Sequence, residues 1–138
     1  MVGLAMDVSR HSFLRMARLA EPLMPTGGSL LTVSFYGSER VVAHYNLMGP
    51  VKAAPESAVL YTAAELGPKQ IRANAISLGP IGTRAASRTV HFYELLAADA
   101  AAAPEHQLLD IDDVGALATL LVSDGPRRIT ANIIPVDG

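Results

Sequence analysis

The sequence predicts an α/β fold in which a parallel sheet is flanked by helices. Short apolar runs rich in β-branched residues alternate with longer segments of helical periodicity, the pattern of parallel strands joined by crossover helices. Half of the 138 residues are apolar, and a chain of this length normally forms one domain with its own core. The sequence contains no cysteine, which excludes a disulfide framework and a thiolate metal site.

The predicted elements alternate along the whole chain. Asp7 or Ser9 could cap the first helix, and Asp110 and Asp112 favour the start of the last helix by lying at the positive end of its dipole. This alternation predicts a single domain, residues 1–138, arranged as the second half of a three-layer Rossmann-like fold. In chain order we expect a helix at 7–24, a turn at 25–28, a strand at 29–35, a helix at 43–66, a strand at 71–77, helices at 87–103 and 112–122, and a strand at 130–136.

Charge and composition exclude several classes of function. The formal net charge of −2 is not the basic charge that binding to nucleic acid or to an anionic membrane requires, so we predict neither partner. Asp7, Arg10 and Arg15 interrupt the apolar N-terminal stretch, so this stretch is neither a signal peptide nor a membrane span. The four histidines lack the i, i+4 spacing of a metal pair, and we predict no metal site. The absence of cysteine suits a reducing cytosol, so we expect a cytoplasmic protein.

Tyr45 and Lys52 are the most informative pair in the sequence. They lie seven residues apart, about two turns of a helix, so both side chains are predicted to project from one helix face. A nearby ammonium group favours the phenolate and would lower the pKa of the Tyr45 phenol. A tyrosine held in this way can donate a proton near neutral pH.

The segments around this pair carry a more specific pattern. It comprises Leu-Leu-Thr-Val-Ser at 30–34, Tyr-Gly-Ser-Glu-Arg-Val at 36–41, Tyr-Asn-Leu-Met-Gly at 45–49, Ile-Arg-Ala-Asn-Ala-Ile-Ser at 71–77 and Gly-Pro-Ile-Gly-Thr at 79–83. Together these segments resemble the NADH-dependent enoyl-acyl-carrier-protein reductases, a divergent branch of the short-chain dehydrogenase/reductase family. The likeness covers nearly the whole chain. Ordinary short-chain dehydrogenases place the lysine four residues after the tyrosine, and the wider spacing here distinguishes this branch.

The resemblance implies a reaction and a cofactor. NADH would deliver a hydride to the β-carbon of an enoyl thioester carried on acyl carrier protein, in fatty acid biosynthesis. Tyr45 would bind substrate and donate to the thioester oxygen as negative charge develops there, and Lys52 would bind the nicotinamide ribose. Met48 would lie near the acyl pocket, and residues 89–96 would fall in a lid over it. The other cofactor-binding positions that the resemblance implies are Ile81, Gly82, Thr83, Arg84 and Ala85.

The resemblance also implies that part of the family's fold is missing from this sequence. Members begin with a strand, a glycine-rich turn and a helix N-terminus that hold the dinucleotide pyrophosphate. Gly27-Gly28 does not match that turn, because it precedes a predicted strand. We therefore expect the N-terminal dinucleotide-binding strands to be absent and the chain alone to bind NADH weakly or not at all. The family's dimerising helices correspond to 7–24 and 43–66, which predicts a homo-oligomer.

Two other functions remain open from the sequence. One is a catalytically silent fragment that keeps only the family's dimerisation surface, and the other is a short-chain carbonyl reductase. Several positions depart from the family pattern. Phe35 replaces a second tyrosine that usually lies ten residues before the catalytic one. Pro50 and Pro55 fall inside the predicted helix, which must therefore be kinked or begin later. Gln70 and Ala131 stand where the family commonly has glycine, the residue that adopts a positive φ most readily.

Overall fold

A parallel sheet of three strands forms the centre of the domain. The computed structural model describes residues 2–83 and 91–138. In these residues β1 (Gly28–Phe35), β2 (Ile71–Leu78) and β3 (Asn132–Val136) lie in the order β1-β2-β3, and all pairings are parallel. Phe35 is in register with Leu78, and Leu78 with Val136, so the carboxyl ends of the strands share one edge. The predicted parallel α/β architecture is confirmed.

Helices cover both faces of the sheet. They are α1 (Val2–Met6), α2 (Ser12–Ala20), α3 (Met48–Leu66), α4 (Phe92–Ala102) and α5 (Ile111–Val122). On one face α2 and α3 bury Phe13, Val59 and Ala63 against β1 and β2. On the other face Val114 and Leu121 of α5 pack against the sheet. The three layers follow from this arrangement.

The central strand β2 shows why both faces are covered. Ala73 and Ala75 face the cluster formed with α2 and α3, whereas Ile76 and Leu78 face the cluster formed with α5. Successive side chains of a strand point to opposite faces, so a strand covered on both sides buries apolar residues at both odd and even positions. None of the helices in residues 2–83 and 91–138 is long and apolar enough to cross a bilayer.

The N-terminal helical segment begins earlier than predicted. Helical structure starts at Val2, and a π-helical turn (Asp7–His11) joins α1 to α2. Asp7 and Ser9 therefore lie within the helical segment, and their predicted capping role is wrong. The Asp7 carboxylate instead accepts a hydrogen bond from Arg15 at 2.8 Å. Asp7 therefore forms an exposed ion pair with Arg15 and does not cap a helix.

The ends of the other helices match the sequence more closely. Asp110 is the N-cap of α5: it accepts from the Asp112 amide at 3.1 Å, and Asp113 accepts from the Asp110 amide at 2.9 Å. This reciprocal capping box confirms the predicted start. Helix α4 begins at Phe92, after His91 with a φ of 62°, and residues 84–90, which include the predicted start at 87 and part of the expected lid, lie outside the described residues. Gln70 and Ala131 have φ of 60° and 59°. The positive φ expected where the family commonly has glycine is therefore present.

Candidate active site

The candidate site lies at the carboxyl edge of the sheet. After β1 the chain forms a 3-10 turn (Tyr36–Ser38), after β2 it continues into the loop at 79–83, and after β3 it reaches Asp137. Gly79 links the carboxyl ends of β2 and β3, because its amide donates to the Val136 carbonyl at 3.0 Å. Ligand sites of open parallel sheets lie at this edge, where loops from different strands converge.

Tyr45 lies in an irregular segment just before α3. Its amide donates to the Val42 carbonyl at 3.2 Å, and its carbonyl accepts from the amides of Met48 and Gly49 at 2.9 and 3.1 Å. The Tyr45 ring is half-buried and rests against Phe35, with ring centroids 4.8 Å apart. Tyr45 is thus fixed by its backbone and by one aromatic neighbour at the end of β1.

The prediction that Tyr45 and Lys52 share one helix is wrong, because α3 begins at Met48 rather than at residue 43. Two features stop the helix from extending backwards. His44 has a φ of 61°, which a right-handed helix does not tolerate. Pro50 would otherwise stand in the helix interior, where it lacks an amide proton and its ring clashes with the carbonyl four residues earlier. In the observed first turn, amide protons need no helical partner and Pro50 costs little.

Gly37 makes room for the Tyr45 ring. A Cβ atom added at Gly37 would lie 2.8 Å from Tyr45 Cδ1 and 3.0 Å from Phe35 Cδ1, closer than real Cβ contacts. Gly49 approaches Gly37 closely, since a Cβ atom added at Gly49 would lie 3.0 Å from the Gly37 carbonyl oxygen. Sequence reasoning missed Gly37 as a site residue. A glycine between the two aromatic residues at 35–36 and a serine was a possible indication, since glycine permits close approach.

Burial raises the pKa of Tyr45. This reverses the predicted effect of Lys52, because removing the phenol from water disfavours the phenolate. Tyr45 is therefore a protonated hydroxyl at neutral pH. The predicted role as a proton donor does not depend on a lowered pKa.

Lys52 lies on the first part of α3 and is half-buried. Burial lowers the pKa of Lys52, and the charge of Glu56 opposes that change. The Ser34 hydroxyl lies 3.3 Å from the Lys52 carbonyl oxygen, so the helix turn that carries Lys52 sits against the end of β1. Lys52 is thus a cation at the same edge as Tyr45, presented by a regular helix.

The loop after β2 supplies the remaining predicted cofactor positions. Ile81 packs partly against the α5 side of the core, whereas Gly82 and Thr83 are exposed. The Thr83 amide donates to the Ile81 carbonyl at 2.7 Å, which makes this loop a tight turn. Arg84 and Ala85, the other two predicted positions, lie outside the described residues.

A cavity of about 400 Å³ adjoins the predicted proton donor. Tyr45, Arg40, Asn46 and Ala53 line it, but Met48 does not. Met48 is half-buried at the start of α3, and its predicted place near an acyl pocket has no support in this cavity. A larger cavity of about 820 Å³ lies at the opposite, amino edge of the sheet, far from the residues proposed for chemistry.

The family comparison agrees with this arrangement. The profile of the family described as Enoyl-(Acyl carrier protein) reductase matches residues 2–138. The chain belongs to the enoyl-acyl-carrier-protein reductase family. The resemblance found from the sequence is confirmed.

Individual members of the family show how much of their length the chain represents. It is 42% identical over 133 residues to the NADH-dependent enoyl-acyl-carrier-protein reductase of Rickettsia prowazekii, covering 96% of this chain and 51% of that relative. The reductase of Anaplasma phagocytophilum, solved in complex with NAD, superposes with a TM-score of 0.88 at 47% identity, covering 94% of this chain and 49% of that one. The Aquifex aeolicus reductase gives a TM-score of 0.94 at 41% identity, with 99% and 53% coverage. The chain therefore spans about half the length of the relatives it matches.

The described residues fit the nicotinamide end of the family's cofactor. Lys52 offers a half-buried cation, and a Cβ built at Gly82 meets no heavy atom within 4 Å, so a ligand can approach that backbone closely. The glycine-rich turn that holds the pyrophosphate has no counterpart in residues 2–83 and 91–138. Gly27 and Gly28 lead into β1 and do not connect a strand to a helix N-terminus, where phosphate binds.

Proposed function

We propose that the chain carries the catalytic part of an NADH-dependent enoyl-acyl-carrier-protein reductase, which reduces the 2,3 double bond of an enoyl thioester in fatty acid biosynthesis. The observation that most supports this is the position of Tyr45, whose ring rests on Phe35 at the carboxyl edge of the sheet and lines a cavity of about 400 Å³. Membership of the reductase family supplies the substrate class, a thioester of acyl carrier protein.

Tyr45 is the proposed proton donor. NADH, when bound, supplies the hydride. Negative charge then develops on the thioester oxygen, and a hydroxyl aimed at that oxygen lowers the barrier. Burial raises the pKa of Tyr45, so the hydroxyl carries its proton at neutral pH and can donate it. Phe35, which lacks a hydroxyl, gives the Tyr45 ring an apolar support and no competing acceptor.

Lys52 and the loop at 79–83 are the proposed cofactor ligands of this chain. The Lys52 ammonium would bind the ribose hydroxyls and keep the local potential positive beside the developing charge. Ile81 would meet the carboxamide through its backbone, and Gly82 and Thr83 would approach the pyrophosphate. Arg84 and Ala85 complete the proposed loop, and Met48 remains a proposed substrate contact.

The test is NADH oxidation with an enoyl thioester as substrate, by the 138-residue chain at high NADH concentration or by a complex that contains it, because the chain alone is expected to bind NADH weakly. We expect Tyr45→Phe to lower turnover by about a hundredfold or more, because a positioned proton donor contributes about 10² to 10⁴. Tyr61→Phe is the matched control, since Tyr61 is 76% exposed on α3 and away from the sheet. Equal turnover in the Tyr45 variant and the native chain would show that Tyr45 is not the donor.

We also propose that the chain functions as a homo-oligomer. Leu19 of α2 is 73% exposed, and Leu23, in the 3-10 turn that follows α2, is 80% exposed. This helical surface is therefore apolar and open to solvent. β1 is an edge strand of the described sheet, and its Val33 is 48% exposed. Exposed apolar surface and an open sheet edge both favour association.

Sedimentation equilibrium at micromolar concentration tests this assembly. We expect a dimer or larger species, and we expect Leu19→Glu to shift it toward monomer. Leu108→Glu is the control, because Leu108 is 57% exposed outside the helices. A single 14.5 kDa species for the native chain would refute the oligomer. Assembly without any NADH oxidation would favour the silent fragment over the enzyme.

A further inference from the structure

A buried carboxylate lies one helical turn beyond Lys52. Glu56 is 8% exposed, and residues four apart on a helix lie on the same face. Two serine hydroxyls donate to the same oxygen, Glu56 Oε1: Ser34 at the end of β1 and Ser38, at 2.6 Å, in the following turn. Ser34 is itself 2% exposed. The two serine hydroxyls therefore hold the Glu56 carboxyl group in one position between α3 and the end of β1.

The burial of Glu56 lowers the stability of the folded chain. Burying an ionised carboxylate is unfavourable, and hydrogen bonds from neutral hydroxyls offset only part of that cost. Of the charged groups in the described residues, Glu56 is the one whose charge acts on Lys52. Burial lowers the pKa of Lys52, and the Glu56 charge raises it again. The carboxylate therefore favours the ammonium form at a place where burial would favour the neutral amine.

We propose that Glu56 is a positioning residue for Lys52: held by Ser34 and Ser38, it keeps the amine charged and fixes the first turns of α3 against the end of β1. The proposal rests on the proposed role of Lys52 at the cofactor. Ser34 joins the two effects, because its hydroxyl bonds Glu56 and lies 3.3 Å from the Lys52 carbonyl oxygen. Removing the charge of Glu56 should therefore change Lys52 even where the helix itself survives.

The test is an NMR titration of lysine side chains in the full 138-residue chain labelled at the lysine ε-carbon. Lys52 and Lys69 are its lysines, so the spectrum is simple, and Lys69→Arg assigns the signals. Lys69 pairs with Glu21 at the surface and serves as an internal reference. We expect Glu56→Gln to lower the pKa of Lys52 and to leave the Lys69 titration unchanged. Glu65→Gln, an exposed change on the same helix, should move neither signal.

A purely structural role for Glu56 gives a different result. Glu56→Gln would then reduce stability while the Lys52 titration stayed in place, and that outcome overturns the proposal. If Glu56→Gln fails to fold, Glu56→Leu removes the same charge with an apolar side chain that needs no hydrogen-bond partner, and it should lower the Lys52 pKa in the same direction. An unchanged Lys52 titration in a folded Glu56→Leu chain would then overturn the proposal.

The titration needs no enzymatic activity, so it is separate from the proposed function. If the native chain oxidises NADH, Glu56→Gln should lower kcat/KM by about tenfold to a hundredfold, the range seen when a group that orients a functional residue is removed. A shifted Lys52 titration in a chain without reductase activity would uphold the positioning role and refute the reductase. Reductase activity in the native chain, together with an unchanged Lys52 titration in Glu56→Gln, would uphold the reductase and refute the positioning role.

Discussion

Tyr45 and Lys52 lie at the same edge of the sheet, but the fold holds them in different ways. Lys52 is carried by a regular helix, and the buried Glu56 and Ser34 and the half-buried Ser38 lie beneath the turn that bears it. Tyr45 is carried by an irregular segment, where three backbone hydrogen bonds and the Phe35 ring fix its position. A helix restrains the lysine over several turns, whereas local contacts alone restrain the tyrosine. Small changes near Tyr45 should therefore have the larger functional effect.

One short segment, residues 34–38, supports both side chains. Ser34 and Ser38 bond Glu56 below Lys52, whereas Phe35 and Gly37 contact the Tyr45 ring. Tyr36, between them, lies close enough to Asp99 of α4 for the charge of that carboxylate to raise the Tyr36 pKa. Because these roles alternate along five residues, substitutions in this segment can disturb one side chain without the other. The following variants use that alternation.

Gly37→Ala should have the largest effect of these variants, and it acts on the Tyr45 and Phe35 rings rather than on Lys52. The added Cβ would lie 2.8 Å from the Tyr45 ring, so the ring must move. Displacing a reacting group by about 1 Å can cost about a hundredfold in rate, and we expect a loss of tenfold to a hundredfold in turnover, with NADH affinity little changed. Overpacking should also lower the free energy of unfolding by about 1–3 kcal/mol.

Steady-state kinetics and urea denaturation measure both effects. Gly115→Ala is the control, because a Cβ there meets no heavy atom within 4 Å on α5. It should leave turnover unchanged and raise helix stability slightly, as alanine does in place of glycine. Native stability in the Gly37→Ala chain would mean that the Tyr45 ring has other room, and that the local contacts are looser than the structure indicates.

Tyr36→Phe should have an intermediate effect that appears only at high pH. Burial and the charge of Asp99 raise the pKa of Tyr36 to about 12, from 10.0. Between these values the folded chain keeps a proton that the unfolded chain loses, so this contribution is complete below pH 10 and is lost as pH rises through about 12. The phenylalanine variant should lose less stability over that range. Urea denaturation in alkaline buffers measures it, with Tyr61→Phe as a control that keeps the native slope.

The sequence predicted the sheet more fully than the site. The three strands and the helix start near Asp110 follow from local patterns that a single sequence displays, whereas the positive φ of Gln70 and Ala131 was expected from the family resemblance. The helix start at Met48 was harder to predict, because the residue types around His44 do not indicate its positive φ. Glu56 was missed for another reason. Its partners are 18 and 22 residues away in sequence, so only the packing of α3 on β1 brings them together.

Ala131→Gly should have the smallest effect, and it lies outside the segment that supports Tyr45 and Lys52. Ala131 has a φ of 59°, and its amide donates to the Ala73 carbonyl at 2.8 Å, which fixes it at the start of β3. A left-handed conformation costs a non-glycine residue about 1–2 kcal/mol, and the greater freedom of glycine in the unfolded chain returns part of this cost.

We therefore expect Ala131→Gly to raise the free energy of unfolding by about 0.5–1 kcal/mol, measured by urea denaturation, without altering turnover or the Lys52 titration. The same substitution in a right-handed helix, Ala64→Gly on the exposed side of α3, should lower it by about 1 kcal/mol. Opposite signs for one chemical change would show that backbone conformation is responsible. A destabilised Ala131→Gly chain would mean that unfolded-state entropy outweighs the strain. Any change in turnover would mean that Tyr45 and Lys52 depend on the start of β3 as well as on residues 34–38.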